Sequence, residues 1–101
     1  MPKQAKRTFY DIYANILAFL ARRGAGRITQ IARYSNLPVD RAKRVLNDMV
    51  VADLVRRRRE EESTTYAITP RGYEYLELYR RLRKLIAPSI IEERPGWLIE
   101  D

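Results

Sequence analysis

The alternation of apolar and polar positions divides the chain into seven short elements. Phe9, Ile12, Tyr13, Ile16, Leu17 and Leu20 recur at the 3.6-residue period and predict a helix from Phe9 to Arg23. Thr8 with Asp11 resembles a capping box with Asp replacing Glu, Gly24 stops the helix, and Arg22 and Arg23 suit the negative end of its dipole. Ile28 fits a one- or two-residue strand. Thr29 is expected to cap a short helix that turns Ile31 and Ala32 inward, and Asn36-Leu37-Pro38 to make a turn, because Pro38 cannot continue a helix but can begin one. A longer helix from Val39 to about Ala52 puts Ala42, Val45, Leu46, Met49 and Val50 on one stripe. Asp40, Arg41, Lys43, Arg44, Asn47 and Asp48 are left on or beside the solvent side.

The period then changes from helical to extended. Leu54 and Val55 begin a strand that continues through Arg56, Arg57, Arg58 and Arg59; Glu60, Glu61, Glu62 and Ser63 form a tip; Thr64 to Ile68 return. Thr69-Pro70 reads as an N-cap followed by proline at the first helical position, opening a last helix that runs to about Ile86 before Pro88 ends it. The fold class is mainly α with a small β-hairpin (α+β), in the order helix-strand-helix-helix-strand-strand-helix. Its divisions are a basic flexible arm (1–7), a central domain (8–69), a C-terminal helix (70–86) and an apolar, acidic tail (87–101).

These residues carry a resemblance. The stretch Ile28 to Val55 resembles the helix-turn-helix of winged-helix transcription regulators, and Tyr66-Ala67-Ile68-Thr69-Pro70-Arg71-Gly72-Tyr73-Glu74-Tyr75-Leu76 is similar to the strand-Thr-x-x-Gly-x-x-x-Leu signature that closes their wing. The short length, the basic arm, the first helix and the Tyr- and Leu-rich last helix are most similar to the small archaeal ten-kilodalton winged-helix DNA-binding proteins, which dimerise through a C-terminal helix. Two features depart from that pattern. Ala52-Asp53 stands where such families commonly place Gly, and Pro88 leaves the last helix short for a coiled-coil arm.

Charge sharpens the picture. The 101 residues carry a net charge of +7 and a pI of about 10.1, which favours polyanionic partners. The charge is uneven: residues 1–59 hold 14 basic and 4 acidic side chains, residues 60–101 hold 6 and 9. Cysteine and histidine are both absent, which removes disulfides, thiol nucleophiles, the usual zinc sites and imidazole acid-base chemistry. With no nucleophile-base pair, ligand cluster or glycine-rich phosphate loop, no enzyme, metal or cofactor is expected. No apolar run approaches the ~20 residues of a membrane span, so a cytoplasmic, nucleoid-associated protein is expected.

The candidate chemistry is therefore duplex DNA binding, sequence-specific or semi-specific, in a transcription regulator. In a winged helix the outward face of the second motif helix enters the major groove, which nominates Arg41, Arg44 and Asn47 for base edges and Lys43 for phosphate. Strand alternation sends Arg56 and Arg58 to one face and Arg57 and Arg59 to the other, so two or three of them can meet a backbone or minor groove. Cross-strand pairing with Glu60, Glu61 and Glu62 is the alternative use of that charge. Arg27, Thr29 and Gln30 flank the motif near a helix N-terminus that suits phosphate, and Lys3, Lys6 and Arg7 of the arm suit the minor groove. Tyr75, Tyr79, Leu82, Leu85 and Ile86 form the stripe expected to meet a second copy in a homodimer. The tail, with Ile90, Ile91, Trp97, Leu98 and Ile99, is expected to dock on its own helices, on the partner subunit or, through Trp97, on another protein. Two other functions fit the same features: an architectural nucleoid DNA-binding protein, and a winged-helix module for protein-protein interaction.

Overall fold

A computed structural model describes residues 7–93, with side chains as far as residue 86. Its elements are α1 (Phe9–Arg23), β1 (Gly26–Arg27), α2 (Ile28–Ser35), α3 (Val39–Val51), β2 (Val55–Glu60), β3 (Ser63–Ile68) and α4 (Pro70–Glu93). The order is the one the hydrophobic pattern predicts. The three strands form an antiparallel sheet in the order β1-β3-β2, so the first strand joins the outer edge of the hairpin.

α1 is the centre of the core. Ile12, Ala14, Ile16, Leu17, Phe19 and Leu20 are all buried, more than one amphipathic stripe supplies, because α2, α4 and β3 enclose the helix from different sides. Ile31 of α2, Leu46 and Met49 of α3, and Val55 of β2 are the large apolar side chains fully buried around it. The capping box forms as predicted: the Asp11 N–H donates to the Thr8 hydroxyl, and the Thr8 N–H donates to the Asp11 carboxylate at 2.8 Å.

At the wing, β2 begins at Val55 rather than Leu54, and Glu60 and Ser63 belong to the paired strands, which leaves Glu61 and Glu62 as the tip; two further differences from expectation lie elsewhere. The first strand lies at Gly26–Arg27 rather than at Ile28, and Thr29 is not a cap. A side chain at Gly26 would meet Phe19 at 2.9 Å, so only glycine lets the strand press this close to α1. Ile28 then already belongs to α2, whose first turn is closed by Gln30 accepting from the Arg27 N–H at 2.9 Å. The second difference is at Pro88, which α4 passes on its way to Glu93. A proline removes one hydrogen bond from the ladder and costs about 3 kcal/mol, but its fixed φ is itself helical. The part of the tail that contains Trp97 lies outside the described residues.

The hairpin and α4 are locked together at one junction. Asp53 takes the left-handed turn (φ 64) that ends α3, which short polar side chains tolerate. Thr69 is 2% exposed; its hydroxyl donates to the Asp53 carbonyl at 2.6 Å and accepts from the Gly72 N–H at 2.9 Å. Both ends of the Thr-x-x-Gly signature thus have a physical role, one as a cap and cross-link, the other as a point of close approach.

α4 is tied to α1 by two phenols. The Tyr75 hydroxyl donates to the Tyr10 carbonyl at 2.8 Å, and the Tyr79 hydroxyl donates to the Asp11 carboxylate at 2.5 Å. Burial raises the Asp11 carboxyl, but hydrogen bonds from Tyr79 and Thr8 and the charge of Arg83 outweigh it and leave the group below its ordinary value. Burial, then the hydrogen bond to Asp11 and its charge, push Tyr79 up to about 12. A depressed carboxyl contributes stability above its unfolded value of about 4 that is lost as pH falls through the folded value, and a raised phenol contributes stability below about 10 that is lost as pH rises toward its folded value. Urea melts should therefore show falling stability below about pH 4 and above about pH 10. Tyr79→Phe should cost on the order of 1 kcal/mol at neutral pH and flatten both limbs; limbs as steep as in the parent protein would show that the pair is not linked to folding.

Candidate nucleic-acid interface

α3 acquires its position from the turn before it. The α2 helix ends on Asn36 in the left-handed conformation (φ 60), and the Asn36 and Leu37 N–H groups return to the Arg33 and Ala32 carbonyls. Ser35, fully buried, gives its hydroxyl back to the Ile31 carbonyl at 2.5 Å. Pro38, extended, starts α3. Ala42, Leu46 and Met49 are buried, with Val45 and Val50 partly so, which leaves the opposite face in solvent.

That face carries Arg41, Lys43, Arg44 and Asn47, all exposed as predicted, together with Asp40 and Asp48. Among the described residues Arg41, Lys43 and Arg44 have no hydrogen-bonding or ionic partner. At helical spacing Arg44 is flanked by Arg41 and Asp48 on one side and by Asp40 and Asn47 on the other, with Lys43 at the margin. The sequence reading missed Val51, which is 87% exposed one turn beyond Asn47. Its place outside the apolar stripe was the available signal.

The sheet assigns the wing arginines to two sides. Val55 is buried and its partner Ile68 partly so, while Arg57 faces buried Tyr66, so Arg57 and Arg59 lie on the core side of the hairpin. Arg57 reaches α3: its guanidinium donates to the Asn47 side-chain oxygen and lies 5.8 Å from the Tyr66 ring centroid. Arg56 and Arg58 occupy the outer face with Thr65 and Ala67, and Arg27 of β1 joins them because it too pairs with Thr65. The alternative use of that charge, cross-strand pairing with the glutamates, does not form among the described residues. Glu60 is paired with Ser63, Glu61 and Glu62 make the turn itself, and the contact that does form runs along the strand, Arg58 to Glu60 at 3.9 Å between exposed groups.

The remaining candidates divide as follows. Thr29, Gln30 and Arg27 are exposed around the start of α2, with the Gln30 oxygen already committed to capping. Arg7 is tied to the folded domain: it donates to the Ser35 carbonyl at 2.9 Å, joining the start of α1 to the turn of the motif. Lys3 and Lys6 lie outside the described residues. Tyr75 and Tyr79 are half-buried against α1, whereas Leu82, Leu85 and Ile86 are 61%, 78% and 56% exposed and Leu78 is 54% exposed. No metal-ligating cluster occurs among the described residues, and no helix among them is long and apolar enough to cross a membrane.

Comparison with known proteins agrees with the fold. The winged helix-turn-helix family matches residues 6–87. No curated protein matches by sequence. Among solved structures, the chain is similar to the YusO protein of Bacillus subtilis (TM-score 0.72, 15% identity, covering 87% of this chain and 64% of that one). It is also similar to RV1404 from Mycobacterium tuberculosis (0.70, 17%, 88% and 63%) and to a MarR family transcriptional regulator from Streptomyces coelicolor in complex with DNA (0.72, 21%, 83% and 56%). The chain spans less than two thirds of the length of each of these three.

Proposed function

The chain belongs to the winged helix-turn-helix family, which is not an enzymatic one, and from that premise we propose that it binds duplex DNA as a transcription regulator, with α3 in the major groove. The observation that carries the reading is the exposed face of α3. Three cations without partners among the described residues stand on a helix whose other side is fixed in the core, next to a wing that supplies four more arginines. A groove about 12 Å wide admits such a helix, and Val51 offers an apolar contact for a thymine methyl. The wing and the start of α2 supply phosphate contacts, which position the protein and provide most of the affinity. The DNA-bound structure among the similar proteins supports the reading.

The exposed face of α4 supports an assembly. Leu78, Leu82, Leu85 and Ile86 leave an apolar face that the described residues of the protomer do not cover, and the resemblance to the small archaeal ten-kilodalton proteins supplies its use, a twofold homodimer. Tyr75 and Tyr79 then act inside the protomer, holding α4 at the angle from which that face projects.

One experiment tests both parts. Binding to random 30-base-pair duplex across a salt series should give a slope of about −4 to −7 in log K against log salt, and light scattering of the same sample should give twice the protomer mass. A flat salt response would sink the DNA reading, and a monomer at high concentration would sink the dimer.

A further inference from the structure

Asn47 and Arg57 belong to different elements, α3 and β2, yet they meet. Arginine has donors and no acceptor, so the amide of Asn47 must turn its oxygen toward Arg57 and leave its NH2 group outward. The guanidinium is held in place from behind by the ring of buried Tyr66, an arrangement that orients it as a cation-π pair. The unit therefore has a rigid support on one side and exposed hydrogen-bond donors on the other.

This changes what Asn47 can read. A lone asparagine recognises adenine by accepting from N6 and donating to N7 at once. Here the guanidinium of Arg57 holds one of the two lone pairs of the Asn47 oxygen, and an adenine N6 amino group brought to the other meets the positive charge and N–H groups of that guanidinium. What remains is an amide N–H beside guanidinium N–H groups, a pair of donors that matches the two acceptors of guanine, O6 and N7. Resting on the DNA-binding reading, we propose that Asn47 and Arg57 form one composite donor that selects guanine over adenine, with Arg57 the residue that determines the specificity. The wing thereby acts on base choice through the recognition helix rather than only through the backbone.

The test is selection of preferred sites from a pool of random duplexes by the full chain, by Asn47→Ala and by Arg57→Ala. Both side chains are exposed, so the variants should fold, and only folded protein enriches sites. The position at which Asn47→Ala loses its preference identifies the base that Asn47 faces. There the parent protein should favour guanine over adenine by about tenfold, the scale of one good bidentate contact, and Arg57→Ala should shift the preference toward adenine. If Arg57→Ala keeps the guanine preference and only lowers affinity for all sequences alike, Arg57 is a phosphate contact and the proposal fails. It fails too if the parent protein selects adenine there, or binds duplex without any preference. A parent protein that retains no duplex at all overturns the DNA reading itself, a result distinguishable from the others before any variant is compared.

Discussion

Replacing Arg41 and Arg44 together by alanine is expected to weaken binding to a preferred duplex by about 2–6 kcal/mol, from about 1–3 kcal/mol for each arginine that meets a base edge. Fold stability should hardly change, because both side chains are exposed and lack partners among the described residues. The informative control is Arg22→Ala with Arg23→Ala, at the end of α1, where the side chains lie over Tyr34 and Phe19. Each double variant lowers the net charge of +7 by two, so long-range attraction falls equally in both. A far greater loss in the α3 variant, measured by anisotropy at one salt concentration, places the contact on that helix. Equal losses would mean that net charge alone drives association and that α3 is not the reading element.

Gly72→Ala is expected to be the most destabilising of the conservative substitutions. Helix propensity alone predicts a gain of about 0.8–1.0 kcal/mol, since alanine loses less freedom than glycine inside a helix. Packing predicts the reverse. A Cβ at Gly72 would stand 2.3 Å from the Leu54 carbonyl oxygen, 2.8 Å from Ile68 and 3.1 Å from Leu17. That carbonyl cannot retreat freely, because it accepts from the Thr69 N–H while the Thr69 hydroxyl holds the neighbouring Asp53 carbonyl. α4 must move instead, and its phenols anchor it to α1. Overpacking of this kind costs about 1–3 kcal/mol or more, which in a domain of this size lowers the melting temperature by roughly 4–8 °C per kcal/mol. A melting temperature at or above that of the parent protein would show that α4 slides away from the hairpin at little cost.

The local elements were legible in the sequence because their causes are local. The apolar stripe of α3 set which side of it faces water, so the exposure of Arg41, Lys43, Arg44 and Asn47 followed from spacing. Thr8 with Asp11, and Thr69 with Pro70, announced two helix starts through capping chemistry that spans three residues. Strand alternation correctly divided the four wing arginines into two pairs. Where local rules competed, the reading slipped: β-branched Ile28 looked like the strand, yet the strand sits at Gly26, whose advantage is the absence of a side chain near Phe19. Pro88 looked like an end, yet α4 passes it.

The sequence by itself determined the class of fold, the helix that presents cations and the region in which positive charge collects, since each depends on periodicity or composition along a short stretch. Tertiary structure decided which groups are free to act. It tied Arg7 to the Ser35 carbonyl, turned Tyr75 and Tyr79 inward to α1, left Leu82, Leu85 and Ile86 exposed among the described residues, and brought Arg57 to Asn47. Those pairings join residues from 10 to 68 positions apart. No local propensity encodes them: they arise when burial of α1 and the register of the sheet fix where distant backbones lie, and a side chain's remaining hydrogen-bond capacity is known only once its neighbour has been placed.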